Sequence, residues 1–219
     1  MNFIITQTLY IPMKNKLIII LIVLLFTKIT VLGQSIKDYY IPDTTFNKAT
    51  YYAPDESGNR TGFIRTIYYI KKGLNYDIVD ARFFNNQPLA IETTTVWFIG
   101  KEVRMIKSVT TNPLETNKKR IYNPAKIILK MPLPGQPTTW ILIQASGQKD
   151  VKTSSLITLE IDGVQKKAIK VKTVVSGHGL AYTNEYYVVG FGLWKSETVG
   201  NGSKNTLFQF DELSNENTK

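Results

Sequence analysis

The feature that most constrains this chain is a two-residue hydrophobic alternation, clearest on either side of Asp162-Gly163. Between residues 164 and 175, Ile169, Val171, Thr173 and Val175 fall on one face of an extended strand, while Lys170 and Lys172 fall on the other. Successive side chains of a strand point to opposite faces, so the pattern predicts a sheet with one buried and one wet side. Asp-Gly supplies the positive φ angles of a type I′ turn, which joins this strand to residues 156–161 as a tight hairpin.

The same period recurs along the chain, and helical periodicity is nearly absent. Strands are predicted over 61–70, 76–84, 91–99, 102–109, 126–131, 138–145, 156–161, 164–175, 181–189 and 191–199, with a last one near 206–210. Turn signals separate them at 55–59, Lys72-Gly73, Gly100-Lys101, Gly190 and Asn201-Gly202. Residues 112–123 are charged and read as a loop or a short helix, and the three prolines in 132–137 forbid a continuous ladder. Residues 34–60 lack clear alternation and are expected to form an extended N-terminal arm, followed by a single β domain over 61–213 and a frayed polar tail over 214–219. About ten strands joined by short turns predict an all-β, mostly antiparallel fold that curls into a curved sheet or open half-barrel, with a β-sandwich as the alternative.

The N-terminal 33 residues carry a different signal. Lys14 and Lys16 precede an apolar run over 17–26, and Val31-Leu32-Gly33 forms a small-residue site before Gln34. That order predicts a secretory signal peptide over 1–33, cleaved between Gly33 and Gln34. The run is shorter than the roughly 20 residues a spanning helix needs, and Lys28 interrupts its continuation. Met13 directly precedes the basic pair and is an alternative start. The chain contains no cysteine, which excludes a lipobox, disulfides and thiol chemistry. The expectation is a periplasmic or secreted protein, soluble once cleaved, of undetermined oligomeric state.

Lysine and arginine number 27 against 17 acidic residues, and three of the lysines belong to the leader. Export argues against a nucleic-acid partner. The short clusters Lys71-Lys72, Lys118-Lys119-Arg120 and Lys166-Lys167 read as solvated faces, with attraction to lipopolysaccharide or acidic lipid head groups as the alternative.

Chemistry is sparse. His178 is the sole histidine and lies between glycines on a predicted turn, which argues against a triad and a tight metal site. No catalytic residue, metal or cofactor is predicted. Asp77, Asp80, Glu160, Glu185 and Glu197 fall on or near predicted strands, and any two of them brought together could hydrolyse a cell-wall glycan. Gly190-Phe191-Gly192 lacks the Lys-Ser or Lys-Thr of a phosphate loop and reads as a bulge or close backbone approach. Four Tyr-Tyr pairs each put one ring on either face of a strand.

The stretch 185–197, with Tyr186-Tyr187, Gly190, Gly192-Leu193 and Lys195, resembles a late Tyr-Tyr-x-x-Gly-x-Gly-Leu-x-Lys hairpin of uncharacterised exported proteins of Gram-negative bacteria. Leu133-Pro134-Gly135 and Thr139-Trp140 resemble an earlier turn and strand of such chains. The resemblance implies a curved antiparallel sheet similar to the half-barrels of lipoprotein carriers of the Lol type, and it implies no catalytic residue. The expected function is non-enzymatic binding of a hydrophobic ligand or an envelope partner. Ile169, Val171, Val175, Tyr187 and Trp194 are the inner-face candidates, as core first and ligand contacts second, and Asp162, Gly163, Gly190 and Gly192 are structural. The alternatives are a glycan hydrolase and a structural or adhesive module that pairs through an edge strand.

Overall fold

The computed structural model describes residues 34–43, 45–112, 115–144, 146–175, 181–200 and 203–215. A short helix, α1 (Ile36–Tyr40), precedes twelve strands. These are β1 (Lys48–Pro54), β2 (Arg60–Lys72), β3 (Asn75–Phe84), β4 (Gln87–Ile99), β5 (Glu102–Asn112) and β6 (Glu115–Lys130). They continue as β7 (Thr138–Ile143), β8 (Lys149–Ile161), β9 (Val164–Val175), β10 (Tyr182–Val188), β11 (Gly192–Gly200) and β12 (Ser203–Ser214). All twelve form one antiparallel sheet in the order β6-β5-β4-β3-β2-β1-β12-β11-β10-β9-β8-β7, nearly closed into a barrel.

Consecutive strands pair everywhere except between β6 and β7, which stand at the two edges although they are neighbours in sequence. The joint that replaces them is β1 with β12, paired from Lys48↔Ser214 to Tyr52↔Gln209 with a bulge between Thr50 and Tyr51. Residues 131–137 connect β6 to β7, and Pro132, Pro134 and Pro137 have no N–H to give a ladder. Side chains bridge the seam instead. Trp140 Nε1 donates to the Ile127 carbonyl at 3.1 Å, and Lys126 Nζ donates to the Ile143 carbonyl.

The curved, open-barrel expectation holds, and two stretches differ from it. The stretch 34–60 is not an extended arm, because it supplies α1 and the strand β1 between β2 and β12. Ala49 and Tyr51 of β1 are fully buried. The alternation there is short and hidden among tyrosines, so it reads weakly in the sequence. The stretch 112–123 is strand in β5 and β6, apart from residues 113–114, which lie outside the described set. Its Lys118, Lys119 and Arg120 are exposed on an edge strand, where charge and proline discourage pairing with another chain. Residues 1–33, where the signal peptide is expected, His178 and residues 216–219 lie outside the described residues.

Inward-facing residues change character along the strands. On β3 they run Tyr76, Ile78, Asp80, Arg82, and on β4 Phe98, Val96, Thr94, Glu92. On β9 they run Ile169, Val171, Thr173, and on β10 Tyr187, Glu185, Thr183. One end of the interior is therefore apolar and the other polar. A twelve-stranded barrel is too wide for its own side chains to fill. At the apolar end α1 fills the space, with Ile36, Tyr39 and Ile41 buried against Val96, Val103, Leu129 and Ile169. The Ser35 N–H donates to Asp38 Oδ2 at 2.7 Å and starts the helix.

A second, smaller cluster lies on the outer face. There Ile161, Ala168 and Val188 are covered by Phe191 and Trp194. No helix among the described residues is long and apolar enough to cross a membrane. The outer face of β9–β11 carries Lys170, Lys172 and Lys195 in mid-strand.

Candidate binding cavity in the barrel interior

Where the apolar inner face gives way to the polar one, a cavity of about 260 Å³ remains. Its polar wall is Arg65 from β2, Asp80 and Arg82 from β3, Glu92 from β4, Lys152 from β8 and Glu185 from β10. Its apolar wall is built from Ile67, Ile78 and Leu193, with the rings of Tyr40, Tyr69 and Tyr187. Three cations face three carboxylates, so the lining is close to neutral.

Arg65 and Asp80 are the fixed part of this site. Arg65 Nε donates to Asp80 Oδ1 at 3.0 Å and Nη2 to Oδ2 at 2.9 Å, a bidentate pair whose side chains are 16% and 13% exposed. Arg82 Nη2 donates to the same carboxylate at 3.1 Å. Burial pushes the Asp80 carboxyl up, but the two guanidinium groups outweigh it and hold it below the ordinary carboxylate value. The Arg65 guanidinium also lies over the rings of Tyr51 and Phe208, at 5.9 and 5.5 Å from their centroids.

The remaining charges are held less tightly. Lys152 Nζ stands 3.9 Å from Glu185, too far for a hydrogen bond. Glu92 pairs in register with Asp80, is half-buried, and has no ion-pair partner among the described residues. The Tyr40 and Tyr187 rings stack at 5.6 Å. Burial pushes the hydroxyls of Tyr40, Tyr69 and Tyr187 up, and that of Tyr51 up to about 12, so at neutral pH they remain protonated donors.

The turn between β10 and β11 holds α1 in place. The Gly190 N–H donates to the Asp38 carbonyl at 2.9 Å, and the Asp43 N–H donates to the Gly190 carbonyl at 2.9 Å. Gly192 sits at φ +74°, where a Cβ would come within 3.1 Å of Tyr69 Oη and 3.2 Å of the Tyr40 carbonyl. The glycine is therefore required by close approach as well as by conformation. At the β8–β9 turn, Asp162 and Gly163 have φ of 50° and 74°, as a type I′ hairpin needs.

The residues expected on the inner face divide. Ile169 and Val171 are buried in the main core, and Tyr187 packs against it while lining the cavity. Val175 is half-buried at the end of β9, opposite Asp150. Trp194 lies at a bulge, the extra residue between Leu193, which faces Tyr187, and Lys195, which faces Tyr186. It packs against the smaller cluster, 5.4 Å from Phe191, and stacks at 4.7 Å on Phe210, which packs against the main core.

Of the five candidate carboxylates, the fold brings only Asp80 and Glu185 to the cavity. Asp77 accepts from Thr95 Oγ1 at 2.6 Å, Glu160 is exposed beside Gln165, and Glu197 is buried on the outer face. Arg65, Arg82, Glu92 and Lys152 were not foreseen. Their signal is a charged residue at inward parity, as with Arg65 in the series Phe63, Arg65, Ile67, Tyr69. Among the described residues no group of three histidine, cysteine or carboxylate side chains could hold a metal ion. Comparison of the chain with protein-family models, with curated proteins and with solved structures gave no match.

Proposed function

We propose that this chain is a non-enzymatic binding protein of the cell envelope whose interior cavity holds a compact zwitterion. The observation that carries this reading is the lining: charges buried inside a barrel that fills its other end with apolar side chains. Glu92, half-buried at the cavity wall with no ion-pair partner among the described residues, is placed to meet a cationic group on a ligand. Arg82, with its side chain 48% exposed, is placed to meet the ligand's carboxylate. The volume lies below the roughly 300–1,000 Å³ of sites for drug-sized ligands, which favours an amino-acid-sized molecule over an acyl chain. The export leader and the late Tyr-Tyr hairpin support placement in the envelope. The hydrolase reading would use Asp80 with Glu185, and Asp80, locked in its ion pair, is not poised to donate a proton.

A second reading keeps the hydrophobic ligand and moves it to the seam. Ile121, Ile141 and Ile143, exposed by 71%, 61% and 52%, line an open groove between β6 and β7. Native mass spectrometry of the exported protein, incubated with amino acids and with fatty acids, separates the two. The cavity reading predicts an amino-acid adduct that is lost in Glu92→Gln and Arg82→Gln. A fatty-acid adduct that survives both changes and disappears in Ile141→Asp would replace it with the seam.

A further inference from the structure

Lysines that are scattered in the sequence are gathered by the fold onto one patch of the outer face. Strand pairing places Lys170, Tyr186 and Lys195 in one row across β9, β10 and β11, and Lys172, Asn184 and Glu197 in the next. Lys204 of β12 pairs with Val199 and completes the patch. Glu197 is the one acidic side chain in these rows and is 1% exposed. It accepts hydrogen bonds from Tyr186 Oη at 2.6 Å and Asn184 Nδ2 at 3.1 Å, with Lys204 Nζ at 3.1 Å and Lys195 Nζ at 3.4 Å. Lys172 Nζ lies 4.0 Å above the Tyr182 ring, and Lys170 Nζ lies 5.8 Å from that of Tyr186.

One carboxylate sunk beneath four lysines cannot neutralise the patch, and it shows no negative surface to an approaching anion. The tyrosine rings hold the lysine stems against the sheet face. We infer that the outer face of β9–β12 is a docking surface for an anionic lipid bilayer. Charge complementarity is the basis. Lysine is a flexible point charge, suited to a diffuse field of head groups, whereas directed recognition of a single phosphate favours the fork of arginine. The inference does not depend on what the interior cavity holds.

The test is co-sedimentation of the exported protein with vesicles of phosphatidylcholine, with and without phosphatidylglycerol, at rising salt. Wild type should bind only the anionic vesicles and be released as salt screens the surface. Lys170→Gln with Lys172→Gln leaves Glu197 and its partners in place, and at about fivefold per lysine should weaken binding roughly 25-fold. The same net charge change at Lys71 and Lys72, exposed at the end of β2, should leave binding near wild type. Thermal melts of both variants show whether each is folded. Equal losses from the two pairs, no preference for anionic vesicles, or binding unaffected by salt would each overturn the inference.

Discussion

The two ends of the barrel interior are made by the same strands and are built on opposite principles. At one end α1 enters the barrel and Ile36, Tyr39 and Ile41 complete a dry core with Val96, Val103 and Ile169. At the other, two residues further along β3, β4 and β10, the inward positions are Asp80, Thr94 and Glu185, and the interior is left open. The first end is stabilised by packing density, which tolerates no missing methylene. The second spends stability on buried charge, which a fold without need of a ligand could replace with aliphatic residues. The contrast sets the packed end, which closes the barrel, apart from the charged end, which is the proposed binding site.

Four substitutions probe that division. The largest effect is expected at the plug. Tyr39→Ala removes a ring that is 1% exposed and should cost about 3–5 kcal/mol in urea unfolding. Next comes Asp80→Asn, which leaves Arg65 buried without its counter-charge and should cost about 3 kcal/mol at neutral pH. Its pH dependence has a definite sign. The folded carboxyl lies below its unfolded value of about 4, so the stabilisation is full above that pH and is lost as pH falls through the folded value. The Asp80→Asn protein should therefore show a shallower loss of stability in acid than wild type.

Gly192→Ala should be milder, about 1–3 kcal/mol, because a side chain at positive φ must also displace the Tyr69 hydroxyl or the Tyr40 carbonyl. The smallest effect on stability is expected at the open end. Glu92→Gln should change unfolding by less than about 0.5 kcal/mol. A large loss from Glu92→Gln would show that the charged end is structural too, and would break the distinction.

The parts of the fold that were legible in the sequence are those set by local rules. Asp162-Gly163 and Gly100-Lys101 mark hairpins that the structure contains, and prolines 132–137 mark the one place where neighbouring strands do not pair. The joint of β1 with β12 was not legible, because it joins the first strand to the last and no local signal links Lys48 to Ser214. The bulge at Trp194 was not legible either, and from Lys195 onward it inverts the parity on which every face assignment depends. The cavity was partly visible. Asp80 and Glu185 stood out as strand carboxylates, but their meeting with Arg65 and Lys152 depends on curvature and register that alternation does not carry. The lysine patch was hidden for the same reason.

Ligand-linked stability tests whether the charged end of the interior is the proposed binding site. The most direct measurement is the melting temperature of wild type and Glu92→Gln, side by side, across a panel of amino acids, other zwitterions and fatty acids. At a concentration near 100 times the Kd, a ligand bound only by the folded state adds about 2.7 kcal/mol, or roughly 5–10 °C for a domain of this size. A compact zwitterion should produce such a shift in wild type and little or none in Glu92→Gln. Stabilisation by fatty acids alone, or an equal shift in both proteins, would contradict it.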